Sequence, residues 1–294
     1  MDEARTTGKR VRRLLFATDG SAASRAALLA VAGLAMGGET EVLVLHVTHH
    51  RRAEDGRALV TGIVEGLIAL AINARPELRH AAHGHVAREI AAAAIQCGAD
   101  LVVLGSRGRS DLGGLLLGSV GHEVLERVAC PVLMVRAGPR PGVRPRRVLL
   151  AVAGDEDIAE LVGITAAIAE LEARVLVLHL LAHGDGDLQF AASAHLVDQI
   201  LARLRKCGIH ARGRVRAASR GAAEEIAKIA LSYGADLIVM GSRRLPELTA
   251  LLRGSVSHRV VNLSDRPVLV AARTPPRVSG APGGVGSKEP APPT

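Results

Sequence analysis

The feature that most constrains this chain is that it says the same thing twice. RLLFAT at 13–18 is answered by RVLLAV at 147–152, and EVLVLHV at 41–47 by RVLVLHL at 174–180. EIAAAAIQCGADLVVLGSR at 89–107 returns as EIAKIALSYGADLIVMGSR at 225–243. LLLGSVGHEVLERVACPVLMV at 115–135 returns as LLRGSVSHRVVNLSDRPVLVA at 251–271. Four blocks in one order at nearly constant spacing mark a duplicated domain. The 294 residues suit two domains of ordinary size.

Each half alternates short β-branched runs with helical patterns. In the first, strands are expected at 13–18, 42–48, 78–84, 101–105 and 132–136, the one at 78–84 having the least β signal. Helices are expected at 21–36, 87–97 and 119–129, with Gly37 and Gly98 past helix ends as C-cap glycines. Strands separated by helices imply right-handed crossovers and a doubly wound parallel sheet in each half. The fold class is therefore α/β, with two tandem five-stranded Rossmann-like domains at 1–138 and 147–274. Residues 139–146, with Pro139, Pro141 and Pro145, read as a linker, and 275–294, rich in Pro, Gly and Ser, as a disordered tail.

Composition narrows the partners. There is no Trp, one Tyr and two Phe, so the cores must be built from Leu, Val, Ile and Ala. The net charge of +8 raises the question of nucleic acid. A single-strand binder would add stacking aromatics, so no specific nucleic acid partner is expected, only salt-sensitive attraction to polyanions. Cys97, Cys130 and Cys207 form no metal-ligand spacing and fit a reducing compartment, and Cys97 and Cys207, each before a glycine at a helix end, are expected to be small buried residues. The most apolar stretch, 58–73, is too short and polar to span a bilayer, and no signal peptide is evident. A cytoplasmic chain without membrane association is expected.

In an open α/β sheet, ligands sit beyond the carboxyl ends of the strands, where strand order reverses. Here those positions fall on Thr18-Asp19-Gly20, Val47 and the stretch from Gly105 through Ser106, Arg107, Gly108 and Arg109. Ten residues further, Gly118-Ser119-Val120 opens a helix. Glycines let a backbone approach phosphate oxygens, and a helix start offers free N–H groups and a favourable dipole.

The pattern Gly105-x2-Gly108-x9-Gly118-Ser119 resembles the G-2x-G-9x-G(S/T) signature of ATP-binding universal stress proteins. With ATDGS at 17–21, LHV at 45–47 and CPVLMV at 130–135, the resemblance covers 10–136 and 145–272. It implies an adenine nucleotide alpha-hydrolase-like fold and ATP, with or without Mg2+, in the first half. It places Asp19 and the backbone of Val47 on adenine, Gly105, Gly108 and Gly118 on ribose and phosphates, and Ser119 on a phosphate. Arg107 and Arg109 are added here as charges that would offset phosphate. The family's mode of dimerisation further implies antiparallel pairing of 132–136 with 268–272, making a pseudo-dimer that is able to dimerise again. A stress-response regulator acting through a regulatory protein partner is the reading, with a weak ATPase or a module binding cyclic AMP as its rivals.

The second half departs from the signature. Ala153 stands where Asp19 does, and Arg244 replaces the second glycine in Gly241-Ser242-Arg243-Arg244 before Gly254-Ser255. No ATP is expected there, although Arg243, Arg244 and Arg253 would attract an anion. His46 and His179 are expected to be buried, hydrogen-bonded structural histidines, and His49, His50, His80, His83 and His85 to be surface residues rather than metal ligands. Asp155, Glu156 and Asp157 read as a helix start, and Asp100 and Asp236 as turn residues before strands. No catalytic residue is assigned, because no Walker lysine, GxSxG elbow or convincing carboxylate pair is present.

Overall fold

The computed structural model describes residues 10–48, 53–81, 85–106, 119–136, 144–154, 157–181, 186–218, 221–241 and 256–271. The first half runs β1 (Arg13–Ala17), α1 (Ala22–Ala35), β2 (Glu41–Thr48), α2 (Ala53–Ala69), β3 (Asn73–His80), α3 (Val86–Cys97), β4 (Leu101–Ser106), α4 (Ser119–Arg127) and β5 (Val132–Arg136). The second runs β6 (Arg147–Val152), α5 (Ile158–Ile168), β7 (Arg174–Leu181), α6 (Asp187–Lys206), β8 (His210–Ala217), α7 (Ala222–Tyr233), β9 (Leu237–Met240), α8 (Val256–Leu263) and β10 (Val268–Val270). All eighteen elements pack around a single ten-stranded sheet ordered β3-β2-β1-β4-β5-β10-β9-β6-β7-β8.

Within each half every strand pair is parallel, and successive side chains enter opposite layers. Leu14 and Phe16 of β1 join the layer of α1, α2, α5 and α6. Leu15 and Ala17 join that of α3, α4, α7 and α8. With both faces covered, the inner strands read as continuous apolar runs. The helices change face between β1 and β4, which fixes the switch point at the carboxyl ends of those strands.

The halves meet where β5 and β10 pair antiparallel, Val132 with Val270, Leu133 with Leu269 and Met134 with Val268. The pairing expected between the two last strands is therefore present, over the shorter stretch that β10 provides. Arg136 Nη1 donates to the carbonyls of Asn262 (2.9 Å) and Ser264 (2.8 Å), so a first-half cation caps the end of α8. Arg144 Nη2 donates back to Leu34 O at 3.2 Å.

Three expectations are corrected. The third strand is Asn73–His80 rather than 78–84, and it pairs with β2 along its whole length. As an edge strand it tolerates Pro76 and alternating charge, which hid it. The apolar stretch at 58–73 lies mostly within α2, a helix absent from the expected set. Cys97 and Cys207 are half-buried instead of buried. Cys97 ends α3 and Cys207 caps α6, where a helix end leaves solvent access.

No helix among the described residues is long and apolar enough to cross a membrane. The segments 139–143 and 275–294, read as linker and tail, lie outside the described residues.

Candidate functional site

The carboxyl end of β1 is organised by its own loop. Thr18 is buried, and its N–H makes the last ladder bond, to Leu45 O at 2.9 Å. Its hydroxyl donates to Ser24 Oγ (3.1 Å) and accepts from Gly20 N–H (3.2 Å). Gly20 adopts φ +75, a conformation that L side chains rarely take, and this swings the chain into α1. Ser21 is the N-cap of α1, its side chain accepting from Ser24 N at 3.2 Å. Ser24 was not among the expected site residues, although the Ser21-x-x-Ser24 spacing at a helix start signals a cap.

Asp19 projects from this turn into solvent, with Oδ1 accepting Ser21 N–H at 3.0 Å. Partial burial works to raise its pKa, but the hydroxyl and N–H of Ser21 and the hydroxyl of Ser24 outweigh it and hold the carboxyl below its ordinary value. The group is therefore an ionised acceptor at neutral pH.

Val47 lies on the neighbouring strand. Because Leu45 O points to β1 and Thr48 O points to β3, where it accepts Ala81 N–H at 3.1 Å, alternation turns the N–H and C=O of Val47 toward β1. Since β1 ends at Ala17, those groups face the space beyond it, beside Asp19. His46 fixes the corner: its Nδ1–H donates to Thr18 O at 2.7 Å, the hydrogen assigned because a carbonyl only accepts. A Cβ at Gly56 of α2 would lie 2.6 Å from His46 Cδ2, so the helix packs directly over the ring. His46 is thus hydrogen-bonded and structural as expected, but half-buried rather than buried.

At the end of β4 two assignments change character. A Cβ on Gly105 would sit 2.5 Å from Ser24 N and 2.6 Å from Ala23 C, so this glycine is required by the backbone of α1 and not only by a ligand. Ser106 is buried, with its hydroxyl donating to Val135 O at 3.3 Å inside the sheet, and offers a ligand only its main chain. Ser119 opens α4 and Val120 packs against the layer of α3 and α4. Arg107, Gly108, Arg109 and Gly118 lie outside the described residues.

The second half repeats the scaffold. Ala153 follows β6 and Gly154 takes φ +104, as Gly20 takes a positive φ in the first half. Asp157 caps α5, accepting Ala159 N and Glu160 N at 3.0 and 3.1 Å, while 155–156 lie outside the described residues. His179 corrects an expectation: it is buried, but its Nδ1 has no hydrogen-bond partner among the described residues. Arg243, Arg244, Arg253, Gly254 and Ser255 lie outside them too, as do His49, His50 and His83. Among the described residues no group of three or more His, Cys, Asp or Glu is placed to hold a metal ion.

A profile of the Universal stress protein family matches residues 10–136 and again 145–272. The chain belongs to that family. It is 36% identical to the universal stress protein YxiE of Bacillus subtilis over 148 residues, covering 42% of this chain and 98% of the relative. A universal stress protein of Mycobacterium bovis is 33% identical over 195 residues, 60% of this chain and 63% of the relative, so the chain spans less than two thirds of that protein. The crystal structure of a universal stress protein from Archaeoglobus fulgidus superposes with a TM-score of 0.70 and 23% identity, covering 90% of this chain and 100% of its own. That likeness speaks to fold, and it extends over both halves of this universal stress protein.

Proposed function

We propose that the chain is a nucleotide-binding regulatory protein whose first half holds ATP at the carboxyl ends of β1 and β4, and whose second half is its built-in structural partner. The observation that carries this reading is the contrast between Asp19 and Ala153. In the first half an ionised carboxylate stands beside the outward-facing main chain of Val47, an acceptor and a donor suited to the amino group and ring nitrogens of adenine. In the second half that carboxylate is a methyl group. The phosphates would run toward Gly108, Gly118 and Ser119, where the start of α4 offers free N–H groups and the positive end of its dipole.

Calorimetric titration with ATP and magnesium tests the reading, with a Gly108→Arg chain alongside. One tightly bound ATP per chain, lost in the variant, is expected. ATP uptake undiminished by Gly108→Arg would overturn the first-half assignment. No uptake by either protein would transfer the function to protein interaction or to another ligand, such as cyclic AMP.

A further inference from the structure

The opposite end of the second half carries a groove of about 790 Å3 where β6, β7 and β8 begin. Arg147, Arg174, Arg205, Arg212 and Arg214 line it together with Tyr233, and no carboxylate among the described residues does. Tyr233 stands among the arginines. Arg212 Cζ lies 5.3 Å from the centre of its ring, its hydroxyl donates to Arg174 O at 3.0 Å, and Arg147 Nη1 donates to its carbonyl at 3.4 Å. The nearby Asp236 has Oδ2 occupied by the N–H groups of Arg146 (3.1 Å) and Arg147 (3.0 Å).

The first half is an internal control, because the strand registers coincide. Glu41 opposes Asn73 as Arg174 opposes His210, and Leu45 opposes Glu77 as Leu178 opposes Arg214. Arg174 therefore stands in the place of Glu41, and Arg214 in that of Glu77. In the first half these acids are used: Glu41 pairs with Arg75 at 2.8 Å, and Glu77 pairs with Arg79 and Arg75. The second half has exchanged two negative charges for two positive ones and left the guanidinium groups facing one hollow. Like charges around a concave surface repel one another and focus a positive potential into it, which an entering anion relieves.

We infer that this groove binds a compact oligophosphate anion, the chemistry shared by inorganic polyphosphate and the phosphate tail of a nucleotide. Guanidinium forks match phosphate oxygens two at a time. The volume lies within the roughly 300–1,000 Å3 of small-molecule pockets. A single-stranded nucleic acid would need open aromatic faces, whereas Tyr233, the chain's one tyrosine, has Arg212 over its ring. The groove is at the amino ends of the strands, so it is independent of the ATP site proposed above.

With no Trp and one Tyr in the chain, tyrosine emission reports from inside the groove. Titration of the full chain with sodium tripolyphosphate is expected to give a saturable change in that emission, weakening as salt rises. In R174E/R214E, which installs the first half's own residues and is expected to fold as that half does, affinity should drop about tenfold or more, the scale of losing charge-assisted contacts. R205Q, at an exposed helix position, should shift affinity in the same direction by less. Displacement of tripolyphosphate by ATP, measured in the Gly108→Arg background, would identify the nucleotide tail as the source, and failure to displace it the free anion. A Tyr233 signal unmoved by tripolyphosphate, or one equal in R174E/R214E, or one answering only to a single-stranded oligonucleotide, overturns the inference.

Discussion

A glycine in a nucleotide-binding signature carries two meanings that spacing alone does not separate. Gly105 was legible as part of the pattern that ends at Gly118-Ser119, and the structure adds that its missing Cβ admits the main chain of α1. Since the colliding atoms are backbone, they have little room to yield. Gly105→Ala should therefore lower stability by about 1–3 kcal/mol even without nucleotide, the usual scale of overpacking, as read by urea denaturation of the ligand-free chain. A Gly105→Ala chain as stable as the parent would show that α1 shifts without strain. Ser106 teaches the same lesson, since a buried donor to Val135 O cannot be told by sequence from one that faces a ligand. Asp19 was easier to read, because Asp-Gly-Ser after a strand already encodes a turn, a helix cap and an acceptor. That the Nδ1 of His179 has no partner among the described residues was not legible, because its sequence neighbours repeat those of His46.

Among elements, the inner strands were legible because burial on both faces makes them unbroken apolar runs. The edge strand β3 was misplaced for the opposite reason, with Arg75, Glu77 and Arg79 on one face and Pro76 between them. The helix α2 was not legible because Gly56, Gly62 and Gly66 lie within it, and glycine is a poor helix former. The two GAD turns were read correctly as turns, but their reach was not. Asp100 Oδ2 accepts the N–H groups of Arg12 and Arg13, both at 2.9 Å, and Asp236 does the same for Arg146 and Arg147. Each carboxylate thus ties the start of one strand to the start of its neighbour, β4 to β1 and β9 to β6. Asp100→Ala and Asp236→Ala should each cost about 1.5–3 kcal/mol, the range for hydrogen bonds to a charged group, toward its lower end at exposed sites. Thermal unfolding of the two variants should give similar losses, and a loss confined to one half would show that the repeated contact is not equivalent.

At the level of the whole molecule, the α4–α8 contact across the β5–β10 seam holds two histidines face to edge. The rings of His122 and His258 have centroids 4.1 Å apart at an interplanar angle of 69°. Burial, with the charge of His122 adding to it and that of Glu126 partly opposing, lowers the pKa of His258 from 6.5 to about 4. A depressed folded-state pKa means that the unfolded chain takes up the proton first. The stability this ring contributes is therefore complete above about pH 6.5 and is lost as the pH falls toward about 4. The urea midpoint should decline across that window, and His258→Gln should flatten the decline. An unchanged slope in the variant would place the acid sensitivity elsewhere.

The β5–β10 seam also has a consequence for how such a molecule lives among its relatives. Strands that meet within one polypeptide do so at an effective concentration of order millimolar, whatever the abundance of the chain. The pairing is therefore expected to survive dilution. Each first half is born with the same second half, in a fixed ratio of one to one. Under the function proposed above, the second half is thereby released from the need to recognise adenine, while the sheet continues to require its last strand.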